Sequence, residues 1–325
     1  IPAGRTLFLN STINLNAGTT ILPNTGTGGL IHQQGGTVTQ GIPWTNTTHQ
    51  FLLQNGTWSN TTGNPTVFGV GGTFTWHTGT LSGPAGYTVQ SGVAVLFETN
   101  NGKTLNSTLT NNGTINWTNG LIGGSGNIQN ANAATFNITF PQANFLQVPV
   151  TNNGTVNYSG NGAFNTYVAF TNNSTGTLNI NAGTWSFNST LNNAGTLNIP
   201  AGRTLFLNST INLNAGTTFT GAGAITGGGT VAQNFPWTNS TLTFNMNGGT
   251  WTNSAGNPTV FDAGSTINWT GGGLAGSAGY TLQSGVTASI TTGTGKVLNS
   301  VLTNNGIINW TGGQLTESGP GEIIN

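Results

Sequence analysis

The strongest constraint in this sequence is that it repeats itself on two scales. "IPAGRTLFLNSTINLNAGTT" fills residues 1–20 and returns letter for letter at 199–218. "GPAGYTVQSGV" (83–93) returns as "GSAGYTLQSGV" (276–286), and "LTNNGTINWTNG" (109–120) as "LTNNGIINWTGG" (302–313). The large unit is 193 to 198 residues long, the difference being a five-residue insertion between Thr20 and Trp44 of the first copy. Residues 1–130 form one copy, 199–325 most of a second, and 131–198 are seen once. Self-similarity of this kind belongs to folds that stack like on like. The chain stops partway through a unit, as a segment of a longer array would.

A shorter beat runs inside the large unit. "STINL" (11), "GTVTQ" (36), "GTWSN" (56), "GTFTW" (72), "GTINW" (113), "GTVNY" (154) and "GTLNI" (176) share one form: small, Thr, apolar, polar, variable. Steps between beats run from 14 to 26 residues and centre near 20; a single step of 41 predicts a weaker strand near "ATFNI" (134–138). One coil per beat would give about 16 coils. Each beat alternates with period two, so Ile115 and Trp117 share one face and Thr114 and Asn116 the other, which is strand geometry. "NNG", "NAG" and "TGG" between the beats supply the positive φ that sharp corners need. Antiparallel hairpins in a sandwich or propeller would also alternate. The recurring register decides for a parallel β-solenoid, in which equivalent residues form columns with neighbouring coils about 4.8 Å apart. The general preference of parallel connections favours a right-handed winding. The expected organisation is one continuous solenoid over 1–325.

Composition narrows the function. Only eight of 325 residues are Asp, Glu, Lys or Arg, where about a quarter is usual. Four basic residues cannot build a phosphate-binding surface, so nucleic acid is excluded as a partner. No apolar run reaches the roughly 20 residues of a membrane-spanning helix. Nine Trp and sixteen Phe at ordered intervals argue against disorder. Without cysteine there is neither a disulfide framework nor a thiolate metal site.

"LTNNGTINW", "VTNNGTVNY" and "LNNAGTLNI" resemble the NNG-T-hydrophobic-N phrases of bacterial filamentous-haemagglutinin-like and autotransporter-type adhesins. That resemblance implies a secreted, cell-surface protein on a right-handed β-helical stalk, with glycans or host and cell surfaces as partners. A solenoid also has open ends that pair with any exposed strand, so further repeats or copies of the chain, end to end or lateral, are expected partners.

Catalytic chemistry finds little footing. Glycoside hydrolysis ordinarily needs two carboxyl groups close together, and only Glu98, Asp262, Glu317 and Glu322 are present. Aligning the copies sets Glu98 opposite Thr291, Asp262 opposite Gly69 and Glu317 opposite Gly124, so none of these recurs. His49 aligns with Leu242 and His77 with Thr270, while His32 falls in the inserted stretch; the three read as surface or loop histidines. No catalytic residue, metal site or cofactor is therefore expected. The recurring charges are basic: Arg5 with Arg203, and Lys103 with Lys296 in "NGKTLNS" and "TGKVLNS". Their expected role is structural, through apolar stems or bonds to corner carbonyls. N-x-S/T triplets are frequent, as chance dictates in an Asn- and Thr-rich chain; Asn116, Asn268 and Asn309 point outward in the strand reading and are the candidate glycosylation sites. Outward Thr and Asn columns leave ice or sugar binding as a further possibility, against which the variable step length argues. The overall expectation is a structural segment of an extracellular adhesin or fibre, with a carbohydrate-binding or polysaccharide-degrading β-helix as the alternative.

Overall fold

The computed structural model describes residues 1–21, 28–140, 144–292 and 294–325. The chain divides into two compact units, 1–162 and 163–325. Among the described residues each is all-β without a helix, and the strands pair in parallel from turn to turn, except that Thr218–Thr220 and Trp237–Asn239 belong to separate sheets. Both are β-solenoids.

In the first unit three ladders run side by side. One begins at Thr6–Leu9 and Leu30–Gln33 and ends at Thr155–Tyr158. The second begins at Ile13–Leu15 and Thr37–Gln40, and the third at Trp44–Asn46 and Thr66–Phe68. The chain visits them in rotation, for example Gln50–Leu53, Thr57–Asn60, Thr66–Phe68, then back to the first ladder at Thr73–Trp76. The second unit is wound in the same way, its two longest ladders having eight strands each, one of them running from Ala163–Thr166 to Ile307–Trp310. Seven rungs of the second ladder in the first unit and eight of this one in the second make fifteen turns among the described residues, one fewer than the beat count predicts.

The difference has a physical origin: a turn holds three strands, not one. The five-letter pattern marks strands on any side. Thr57–Asn60 and Thr73–Trp76 are both beats yet belong to different ladders, two strands apart. Short steps of 14 to 16 residues are thus two-thirds of a turn, and the step of 26 is four-thirds. The weaker strand expected near 134–138 is present as Thr135–Ile138.

Register follows the alternation. Ile115 lies opposite Phe136 and Trp117 opposite Ile138, all four completely buried, while Thr114, Thr135 and Thr155 form an outer column. Each inward aliphatic or aromatic side chain contributes about 1.5–3 kcal/mol, and Trp58, Trp76, Trp117, Trp185 and Trp251 are all inward. Outside, side-chain amides bond to their copies: Asn137 donates to Asn116 Oδ1 and Asn157 to Asn137 Oδ1, both at 2.9 Å. Inside, the corner asparagines do the same, Asn111 to Asn130 and Asn130 to Asn152 at 2.7 Å each. At one corner glycines stack for a steric reason. Gly56 (φ 81°) and Gly79 (φ 88°) sit so close to the turn below that an added Cβ would lie 2.6 Å from a carbonyl oxygen.

Candidate functional site

The charge-bearing corner of the first unit stands apart from the rest. It is built on Lys103, the first residue of strand Lys103–Asn106. Lys103 shares the inward side with Leu105 and is 1% exposed. Its ammonium donates to three backbone carbonyls, Asn119 at 3.1 Å and Thr99 and Asn101 at 3.3 Å each. The lysine thereby pins the longer corner loop 98–102 to the turn above it. Burial pulls its pKa down to about 8, and the nearby Glu98 carboxylate works in the opposite sense.

The loop so held carries Glu98, whose Oε1 lies 2.8 Å from His77 Nε2 on the preceding turn. Among the described residues this is the only contact between a carboxylate and a basic side chain within salt-bridge distance, and it is partly solvated. It adjoins an open cleft of about 700 Å³ lined by hydroxyl and amide groups, including Gln34, Gln54, Asn55, Thr78, Thr99 and Asn101. Thr99 Oγ1 donates to the His77 carbonyl and Thr78 Oγ1 to the Gly102 carbonyl, both at 2.6 Å, so the walls are tied across the turns. Among the described residues no Phe, Tyr or Trp side chain lines the cleft.

Other sequence-level candidates are dispersed. His32 lies not in a loop but on strand Leu30–Gln33, buried, bonded through Nε2 to Gln54 Oε1 and 5.4 Å from the Phe8 ring. His49 is buried as well, and burial holds its pKa below the ordinary histidine value. The reading as surface or loop histidines is therefore corrected for His32, which sits buried on a strand, while His49 lies in the loop just ahead of strand Gln50–Leu53 and is buried there instead of at the surface. Asp262 is exposed and accepts the Ala263 amide at 2.8 Å; Glu317 and Glu322 are also exposed. No group of three or more His, Asp and Glu able to hold a metal ion occurs among the described residues. Asn116 and Asn268 are half-buried in amide ladders, the latter donating to Asn245 Oδ1 at 2.8 Å, whereas Asn309 is exposed.

Lys296 repeats the lysine corner in the second unit. It is fully buried and donates to the Thr294 carbonyl at 3.1 Å and the Thr292 carbonyl at 3.5 Å. Of the two structural roles expected for the recurring lysines, carbonyl bonding is the one observed. What sequence reading missed is their burial, and the signal was present: in "GKTL" the period-two alternation that buries Leu105 also turns Lys103 inward. The same holds for Gln40 in "GTVTQ". Its Oε1 accepts from Trp58 Nε1 at 2.8 Å and Thr66 Oγ1 at 2.7 Å, and Gln233 repeats this with Trp251 at 2.9 Å and Thr259 at 2.8 Å.

No family model, curated protein or solved structure matches the chain.

Proposed function

We propose that this chain is a structural β-solenoid segment of an extracellular or cell-surface adhesin or fibre, with further repeats or copies of itself as its principal partners. The supporting observation is what the two large copies retain. The Gln40 and Gln233 networks, the Tyr87 and Tyr280 hydroxyl bonds and the bonds of Lys103 and Lys296 to the carbonyls of their corner loops recur at aligned positions. The carboxylates and histidines that chemistry would use do not. Preservation of ladder-building groups fits a mechanical role, in which stacked amide columns and a dry core stiffen each turn. A coat of amides and hydroxyls also makes that stiffness insensitive to salt, since screening acts on ions.

Immunolabelling of intact producing cells tests the reading. Label at the surface before permeabilisation is expected; label only after permeabilisation would sink it. The carbohydrate-binding alternative draws its support from the polar cleft beside His77 and Glu98. A glycan array with a sugar-release assay separates the two. Specific retention that is lost in a His77→Thr, Glu98→Thr double variant would favour the alternative.

A further inference from the structure

The Lys103 ammonium bonds to the carbonyls of two Asn-Gly peptides, Asn101–Gly102 and Asn119–Gly120. At the second, three contacts converge. The Asn119 carbonyl oxygen accepts from Lys103 Nζ at 3.1 Å and also from Trp117 Nε1 at 3.0 Å. The Gly120 amide points at the Asn119 side chain, its nitrogen 2.8 Å from Oδ1. Gly120 holds φ at 79°, a conformation that side-chain-bearing residues rarely adopt.

We propose that Asn119 is a built-in self-modification site, at which the Gly120 amide attacks the Asn119 side chain and converts it to aspartate or isoaspartate. The peptide nitrogen gives its proton to hydroxide and forms a bond to Cγ of Asn119. The Cγ–Nδ2 bond then breaks, and the nitrogen leaves as ammonia with a proton from water. One water opens the resulting cyclic imide to a carboxylate on either side. No oxidant or other co-reactant is consumed. Two donors on the Asn119 carbonyl stabilise the peptide anion whose charge spreads onto that oxygen, as fixed donors do at developing oxyanions. Lys103 is also placed to pair with the carboxylate that forms.

The molecule contains its own controls. Asn55–Gly56 has the same local arrangement, Gly56 N lying 2.8 Å from Asn55 Oδ1, but no ammonium is bonded to its carbonyl. In the NNG corners the glycine amide is engaged elsewhere: Gly113 N donates to Asn111 Oδ1 at 3.1 Å and Gly306 N to Asn304 Oδ1 at 3.2 Å, away from Asn112 and Asn305. In the second copy the residue aligned with Asn119 is Gly312, so the Lys296 corner has no side chain there to react.

The test is peptide mass spectrometry of the full chain during prolonged warming, with amide-to-acid conversion followed at each Asn-Gly pair over a pH series. Asn119 is expected to convert roughly tenfold faster than Asn55, the effect of about one charge-assisted hydrogen bond. Asn112 and Asn305 should be slower still. The Asn119 rate should climb with hydroxide and flatten above about pH 8, where Lys103 gives up its proton; Asn55, Asn112 and Asn305, whose carbonyls Lys103 does not bond, should show no such break. In urea, where the corner is dismantled, the ranking should vanish. Lys103→Met should bring Asn119 down to the Asn55 rate, and Lys103→Arg, which keeps the charge, should preserve its lead. The proposal fails if Asn119 converts no faster than Asn55 in the folded chain, or if its lead persists in urea.

Discussion

The corners at Lys103 and at Lys296 began as the same sequence and now differ in kind. Both hold a buried lysine against backbone carbonyls. The first is lined by His77, Glu98, Asn101 and Asn119; the aligned positions in the second are Thr270, Thr291, Thr294 and Gly312. What has been kept is the group whose loss would strand buried partners. What has drifted is the solvated lining, where substitutions change stability little.

The sharpest way to break that equivalence is through the tryptophans beneath the conserved networks. Trp58→Ala and Trp251→Ala should each cost about 3–5 kcal/mol, because each removes a fully buried ring and one of the two donors to the Oε1 of Gln40 or Gln233. Denaturant unfolding with amide exchange resolved along the chain would measure both. A gap between them of more than about 1 kcal/mol would show that the copies are not energetically equivalent scaffolds.

Lys103 gives the next effect, and it depends on pH. Its folded pKa is about 8, whereas in the unfolded chain a lysine titrates near 10.4. Between those values the unfolded state binds more protons, so stability should climb as pH rises through this window, by at most about 3 kcal/mol. Below about pH 8 both states are protonated and the cost of burying the ammonium is felt in full. Tyr87 and Tyr280, whose pKa values burial raises, act oppositely above about pH 10, where only the unfolded phenols ionise. The measured curve should therefore rise from about pH 8 and turn over near 10. In Lys103→Met the rise should be absent and the high-pH fall retained. A rise that survives this substitution would assign it to another group.

Gln40→Ala and Gln233→Ala come third, at about 1–3 kcal/mol each. The indole N–H and the threonine hydroxyl that the amide served would be left buried and unpaired.

Much of this architecture was legible because it depends on period and spacing. Alternation in "GTINW" predicts that Ile115 and Trp117 are inward, and they are. Recurring register predicts parallel stacking of like residues, and Asn116, Asn137 and Asn157 realise it. The number of strands per turn was hidden, since a side of the solenoid leaves no mark on a pattern that occurs on all three. The charged corner was hidden for a different reason. Lysine is read as solvent-facing by habit, so the phase that buries Leu105 was not extended two residues back to Lys103. The pairing of His77 with Glu98 follows from their stacking on consecutive turns, and no local motif encodes a contact across 21 residues.

The smallest expected effect is the one that best isolates the drifted surface. Replacing His77 and Glu98 by the threonines of the second copy should change stability by under about 1 kcal/mol, since a half-solvated pair gains little over its hydration. The complete double-mutant cycle, His77→Thr, Glu98→Thr and both together, should give a coupling energy of the same small size. The reverse graft, Thr270→His with Thr291→Glu, should be equally mild if the lysine corner is a neutral platform for whatever lines it. A coupling above about 2 kcal/mol in the first corner would mean that the pair braces the loop 98–102 alongside Lys103. The two corners would then differ in scaffold as well as in lining, and the division between kept and drifted groups would have to be redrawn at Glu98.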